Sequence, residues 1–331
     1  MEQLLHEYRG EVLENIYFGR ICVVDENRNV IHSVGDVETI TYYRSASKPI
    51  QALPVLNLGL HEKYGFSDRE VAIMCGSHMG EKIHLETILS MLEKAGFKEE
   101  QFVMLPAYPA ASADKREMIR SGIEPRKALH NCSGKHVATM VLAKELTGSV
   151  DGYWKKDHPA QKEILKYISL FAEYPENEIK IGIDGCGVPV FAVPLKNMAI
   201  SFMKLANPGT LEDENLKQCL IYMQKCVNEN SVMIRGTDEI CDVFNRDRNI
   251  IAKGGALGVY CFGMKEEKIG MALKMENGPG NFWQIATAET LRQLNYKNQD
   301  TINNICEKCV KLSILNDNKD VVGEIKPIFQ L

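Results

Sequence analysis

The sequence has no long hydrophobic run. Nothing in its 331 residues approaches the ~20 consecutive apolar residues of a membrane span, so no membrane partner is expected. Positive charge is not in excess either: 39 Lys and Arg against 44 Asp and Glu leave a formal charge of −5. Such a protein sets up no field to draw in a polyphosphate backbone, and no nucleic-acid partner is expected. Met1 to Asn15 (MEQLLHEYRGEVLEN) lacks the apolar core and small-residue cleavage site of a secretory leader, which gives the expectation of a cytoplasmic protein. The ten cysteines, without a leader, then read as reduced thiols, and no disulfide framework is expected. Walker and dinucleotide fingerprints are missing too, since the glycines from Gly182 to Gly187 run G-x-x-G-x-G.

What is present fits a folded protein. Hydrophobic residues make up 45% and charged residues 25%, far from the composition of disorder. Arg20–Asp25 and Val30–Val34 alternate around the polar Glu26–Asn29 and predict a hairpin. Arg44–Leu60 predicts a short apolar helix with Pro54 kinking or ending it. Leu85, Ile88, Leu89 and Leu92 recur at helical spacing up to Gly96, and His136–Leu146 is apolar on nearly every face, as a buried helix would be. Leu105–Ala113 reads as a loop, and Pro159 as the first residue of a helix. Strands are predicted at Ile179–Ile183 and Phe191–Pro194, a helix through Leu216–Val227, a two-stranded hairpin from Ile250–Met264 and Ile269–Met275, and closing helices over Phe282–Leu294 and Thr301–Leu312. Strands at both ends with helices between predict an α+β fold. The expectation is a single catalytic domain over residues 1–331, with an antiparallel sheet built from both termini and a helical subdomain between them.

Several short motifs carry chemistry. Ser45-Ala-Ser-Lys48 is an S-x-x-K at a predicted helix start, a spacing that lets a hydroxyl meet an amine on one face. Serine becomes a nucleophile when a neighbouring base takes its proton, and a buried lysine serves once its pKa falls; taken alone, the motif is better read as a capping serine followed by a solvated lysine. Cys75-Gly-Ser77-His78-Met-Gly-Glu81 sets a serine between glycines, and Asn131-Cys132-Ser-Gly-Lys135-His136 gathers a thiol, an amine and an imidazole within one turn. Asp184-Gly-Cys186-Gly follows a predicted strand and suggests a binding loop, while Lys253-Gly-Gly resembles the K-T-G that partners S-x-x-K in penicillin-recognising serine enzymes. Cys306 and Cys309 form a C-x-x-C, but Cys309 shares a helical stripe with Ile302, Ile305 and Leu312 and no second C-x-x-C follows, so core packing is the expectation.

The series R-S-A-S-K-P, C-G-S-H-M-G-E, H-N-C-S-G-K-H, D-H-P-A-Q, G-I-D-G-C-G-V-P and A-K-G-G-A, in this order from about Glu11 to Asn295, resembles the asparaginase II family of rhizobial-type L-asparaginases. The resemblance implies a serine β-lactamase and glutaminase-like fold, a homodimer, and hydrolysis of L-asparagine to L-aspartate and ammonia. It implies two tandems, Ser45 with Lys48 and Ser77 with Lys253, with Ser45 as nucleophile. It further implies a Zn2+ ion held by Cys132, Lys135 and Cys186, with Asp184 alongside. Arg44, His78 and Asp184 are the candidates for substrate contact, although Arg44 is equally suited to pairing with an acidic residue. Tyr17, Leu257 and the Asn277–Asn281 turn depart from the family pattern and are expected to lie away from the tandems, where they would reshape the pocket or the dimer contact.

The implied mechanism is an ester intermediate formed by Ser45 with Lys48 as base, and hence a rate that rises above neutral pH. Three other readings stand beside it. One is a related serine and lysine amidohydrolase acting on glutamine or another small amide. Another is a non-catalytic zinc or thiol protein on the same fold. The third makes Cys132 the nucleophile with His136 as its base.

Overall fold

The hairpin at Arg20–Val34 forms because its turn is chemically pinned: Asp25 Oδ1 accepts from the amides of Asn27 and Asn29 at 2.9 Å each, while Asn29 Nδ2 donates to Asp25 Oδ2. Such Asx contacts imitate a backbone turn and close the loop between two alternating strands. In the computed structural model, which describes residues 1–277 and 282–331, that hairpin is the inner part of a larger sheet. The strands are β1 (Glu2–Arg9), β2 (Val12–Val24), β3 (Val30–Val34), β4 (Ile40–Tyr42), β5 (Lys180–Ile183), β6 (Pro189–Pro194), β7 (Ile250–Gly254), β8 (Val259–Met264), β9 (Ile269–Met275), β10 (Ser313–Leu315) and β11 (Val321–Pro327). An antiparallel eight-stranded sheet runs β10-β11-β1-β2-β9-β8-β7, with β3 also paired to β2. The two termini meet where β1 pairs with β11, Leu5 opposite Pro327. A small second sheet has the order β4-β6-β5.

The helices are α1 (Lys48–Asn57), α2 (Leu60–Lys63), α3 (Asp68–Met74), α4 (Lys82–Ala95), α5 (Ser112–Arg120), α6 (Ser133–Thr147), α7 (Pro159–Ala172), α8 (Leu195–Ala206), α9 (Glu214–Glu229), α10 (Ile240–Asn245), α11 (Phe282–Gln293) and α12 (Gln299–Lys308). Most lie between β4 and β7 in sequence and pack on one another, with α6 buried from Ser133 through Ala143. Gly96 closes α4 at φ 68°, and His158 caps α7, whose first residue is Pro159. Two helices cover the large sheet. Gly263 on β8 and Gly270 on β9 are paired in register, and a Cβ on either would overlap the α8 backbone at Phe202 or Ala199. Tyr260 lies three residues from Gly263, so it points to the opposite face, where its ring stacks on Trp283 of α11 at 5.1 Å. Thus α8 and α11 enclose the sheet as an α+β sandwich. No described helix is long and apolar enough to cross a membrane.

The structure departs from the predicted elements in instructive places. Ile250–Met264 is not one strand: the backbone turns at Gly255–Gly258, with Leu257 at φ 59° and Gly258 at φ 77°. Pro54 lies inside α1 without ending it. The predicted loop at Leu105–Ala113 runs into α5, which begins at Ser112. Helix α12 stops at Lys308 and Leu312 is 45% exposed, so the stripe ends before Leu312, while Ile302, Ile305 and Cys309 pack against the core. Strands β1, β10 and β11 and helix α8 are not among the predicted elements. Of the divergent Asn277–Asn281 turn, Gly278–Asn281 fall outside the described residues. Asn277 anchors β2, accepting from Phe18 N and donating to Ile16 O at 2.7 Å each.

The close approach of α8 to the sheet gives a stability prediction. Gly270→Ala forces α8 away from β9 and should destabilise the protein by about 1–3 kcal/mol, whereas Gly209→Ala, with nothing within 4 Å of its Cβ, should leave it near wild type. Urea unfolding midpoints of the two variants check this.

Candidate active site

Ser45 sits in a short 3-10 turn, Arg44–Ser47, that leads directly into α1. Arg44 begins it at φ 50°, a left-handed conformation that non-glycine residues seldom adopt and that recurs at functional sites. Gly255 is placed against this turn, since a Cβ there would lie 2.5 Å from Tyr43 O and 3.2 Å from Arg44 Cβ. The β7–β8 turn therefore closes down on Ser45, and only glycine permits it. A cavity of about 230 Å3 lies between them, lined by Ser45, Ser77, Asn131, Arg235, Cys241, Trp283 and the Gly254–Gly258 turn. A larger hollow, about 680 Å3 between Arg28, Glu173 and Asp213, holds none of the predicted site residues.

Lys48 lies behind this cavity and is 1% exposed. Its Nζ is 2.6 Å from Gly76 O, 2.9 Å from Ser77 Oγ and 3.3 Å from Asn131 O. Burial pushes its pKa down, and the charge of Lys135 pushes the same way against the neighbouring Cys132 and Cys186 sulfurs. The surroundings specify what the neutral amine does. Carbonyls only accept, so its two protons go to Gly76 O and Asn131 O, and its lone pair is left facing the Ser77 hydroxyl. This contact depends on a glycine, because a Cβ at residue 76 would overlap Met233 O.

The pairing differs from the implied tandems. Lys48 meets Ser77, and among the described residues it makes no hydrogen bond to Ser45, whose Oγ has no partner and faces the cavity. The amine turns inward to the two carbonyls, which the sequence spacing did not reveal. Lys253 is fully buried in β7 and donates to Gly254 O at 2.7 Å, not to Ser77. Burial lowers its pKa to about 7, and the charges of Lys48 and Arg235 add to that against Cys241.

Arg44 forms an ion pair with Asp184, at 2.9 Å through both Nε and a terminal nitrogen, so of its two predicted roles the acidic partner is the one observed. Asp184 also accepts from Gly185 N at 3.0 Å. His78 is 1% exposed and does not line the cavity: Gly80 N donates to its Nδ1, and its Nε2 donates to Ser133 Oγ at 2.8 Å. With both ring nitrogens engaged and burial holding its pKa well below the usual value, it is a neutral strut. Asn131, Arg235, Cys241 and Trp283 line the cavity without having been singled out; of these, only Asn131 stood in a noted motif. Leu257, expected to lie away from the tandems, lines the same cavity as Ser45. Tyr17 does lie apart, stacked on Phe282 and donating to Glu7.

Cys132, Lys135 and Cys186 are brought together as a buried cluster behind Lys48. Lys135 Nζ donates to Cys186 Sγ at 3.1 Å. A hydrogen bond from Cys186 and the charges of Lys48 and Lys135 hold the Cys132 thiol well below its ordinary value despite its burial, while the same contact and burial push Cys186 up. Burial works against the charge on Lys135, but Cys186, Cys132 and Asp184 hold its pKa above the usual one. Among the described residues there is no group of three His, Cys, Asp or Glu side chains placed to hold a metal. The two hydrogen-bonded sulfurs are donors of the type zinc takes, and Lys135 fits as a third ligand only after losing the proton its neighbours hold on it. His136 bonds Tyr153 OH at 2.8 Å through Nδ1 and its buried Nε2 has no partner among the described residues, so Cys132 is not hydrogen-bonded to His136 as its base.

The buried amines generate a pH dependence of stability. Lys253 has a folded pKa of about 7 against ~10.4 for an unfolded lysine, so between those values the unfolded state binds the extra proton and stability rises with pH. Lys253→Met should flatten that rise. Urea midpoints of both proteins at pH 7, 8 and 9 test this, and parallel curves would contradict it.

No curated protein matches this sequence. Among solved structures, Mglu in its native form in 4.3 M NaCl is similar at 12% identity and a TM-score of 0.46, covering 84% of this chain and 61% of its own, so the chain spans about 61% of that relative's length. A Bacillus glutaminase in 4.3 M NaCl is similar at 13% identity and a TM-score of 0.39, covering 85% of this chain and 92% of its own. The L-asparaginase II family model matches residues 5–327, nearly the whole length, and the chain therefore belongs to the L-asparaginase II family.

Proposed function

We propose that the protein is an L-asparaginase, which hydrolyses the side-chain amide of L-asparagine to L-aspartate and ammonia through an ester on Ser45. The observation that carries this reading is the buried Lys48 amine held 2.9 Å from Ser77 Oγ, with Ser77 and Ser45 on one small cavity. Ser45 Oγ attacks the carboxamide carbon, and its proton passes through Ser77 to the lone pair of Lys48. The Ala256 N–H, at the cavity edge and with no acceptor among the described residues, stabilises the oxyanion. Lys48 returns the proton to the leaving nitrogen, ammonia departs, and a water activated by the same amine hydrolyses the ester. Lys253, its own pKa lowered to about 7 by burial, and Lys48 disfavour each other's protonation. Arg235 also lines the cavity, with Glu239 on its Nε at 2.9 Å as Asp184 is on Arg44.

In the same reading Cys132, Lys135 and Cys186 would hold a zinc ion beside Asp184. When bound, the ion would supply a positive charge next to Lys48, favouring its neutral form. Ligation needs a neutral Lys135 and deprotonated thiols, so zinc affinity should fall with acid. A homodimer and a cytoplasmic location belong to the proposal as well.

The test is coupled detection of ammonia from L-asparagine and L-glutamine. Turnover of asparagine is expected to exceed that of glutamine and to climb from pH 6 to 9.5; a flat profile contradicts lysine as base. Ser45→Ala and Lys48→Met should each lower kcat by about 10²–10⁴-fold with folding intact. The Lys48–Ser77 contact favours a second assignment with Ser77 as the nucleophile, and the mass of the acylated peptide after quenching separates the two. Elemental analysis should find one zinc per protomer, lost in Cys186→Ala; a metal-free wild type that is fully active contradicts the zinc assignment.

A further inference from the structure

Two hollows meet at the β7–β8 turn. Ala256 and Leu257 line the cavity that holds Ser45, and they also line a second one of about 590 Å3. Arg44 lines the second and Ser45 the first, so the two open from consecutive residues, whose Cα atoms lie about 3.8 Å apart. The first cavity is smaller than the roughly 300 Å3 at which ordinary ligand pockets begin, and the second falls within their range.

The walls of the second hollow have a definite chemistry. Ile40 and Tyr42 are each 42% exposed and Leu257 is 62% exposed, an apolar surface turned to solvent beside Val259. Arg20, Arg44 and Lys274 supply three cations. Glu276 is shared by Arg20 at 2.7 Å and Lys274 at 3.6 Å, and Asp184 pairs with Arg44, so three cations face two carboxylates. Arg20 Nε is buried and has no hydrogen-bond partner. Lys274 is steadied at the rim by Leu257 O at 3.0 Å.

We infer that this hollow is an extension of the substrate site that takes an apolar residue ending in a carboxylate, joined by a peptide bond to the carboxyl group of the asparagine whose side-chain amide is hydrolysed. This rests on the amidohydrolase reading and deepens it to short peptides with an N-terminal asparagine. The next residue of such a peptide begins about 3.8 Å from the asparagine Cα, and it passes from one hollow to the other over the shared rim of Ala256 and Leu257. Its side chain lies on Ile40, Tyr42 and Leu257, and its terminal carboxylate meets the net positive charge of Arg20, Arg44 and Lys274. The C–N bond of the asparagine carboxamide breaks and a C–O bond to water forms, so that asparaginyl-leucine and water give aspartyl-leucine and ammonia.

The experiment compares ammonia release from L-asparagine, L-asparaginyl-L-leucine and the C-terminal methyl ester of that dipeptide. A KM for the dipeptide about tenfold below that for asparagine is expected, with the gain lost in the ester. Arg20→Gln and Ile40→Asp should each raise the dipeptide KM at least fivefold and leave asparagine kinetics unchanged. A dipeptide used no better than asparagine, or insensitive to both substitutions, overturns the inference while the asparaginase reading stands. If neither substrate releases ammonia, that reading fails and calorimetry decides this one: dipeptide binding that Arg20→Gln weakens supports the hollow, and no binding overturns it.

Discussion

One buried amine organises the centre of this molecule. Lys48 carries its charge-bearing group out of water at the start of α1, where two carbonyls, a serine hydroxyl and the Cys132 and Cys186 sulfurs offset part of the loss. Desolvation of an ammonium costs several kcal/mol, so the site favours the neutral form and hands the lone pair to the one neighbour with a proton to give. That constraint explains two close approaches. Gly76 brings its carbonyl in under Met233, and Gly134 lets α6 begin against Ile73 O, which carries Asn131 and Cys132 up to Lys48.

The same amine joins two chemical centres. On one side are the cavity serines, and on the other is the cluster of Cys132, Lys135 and Cys186, whose charges act on Lys48 in opposite directions. A change in the state of the sulfurs is therefore a change in the basicity of Lys48. Lys253 adds a second buried cation from the sheet edge, so two nearby amines disfavour each other's protonation. Three elements that are remote in sequence, the turn before α1, the N-terminus of α6 and strand β7, have to be held together for this coupling to exist. The enclosure of the sheet by α8 and α11 fixes β7 and the wall residue Trp283.

Much of this was legible where local chemistry speaks alone. The Asp25–Asn29 turn, the Gly96 stop and the apolar faces of α6 each carry their own signal, and the element types there follow from it. Strand β1 was hidden because its Glu, Gln, His and Arg residues lie along a half-exposed pair and blur the alternation. Helix α8 is buried nearly all round yet carries a helical period in Leu195, Met198, Ala199, Phe202 and Met203, a signal present in the sequence that the predicted elements do not include. The glycines of Lys253–Gly258 looked like interruptions of one strand and are in fact its turn. The ordered motifs revealed which segments carry the chemistry. They did not reveal that Lys48 reaches Ser77, a contact spanning 29 residues, nor that Arg235, Cys241 and Trp283 complete the wall, because such contacts are set by packing between distant elements.

The neutrality of Lys48 is the claim on which the chemistry turns, and it is directly observable. Protein carrying lysine labelled with 13C at Cε is titrated by NMR, and the Lys48 signal is assigned by its loss in Lys48→Met. A Lys48 resonance that titrates well below the ~10.4 of an exposed lysine is the expected result. A resonance that titrates at or above that value would show a permanently charged amine at Ser77 and contradict a lysine base.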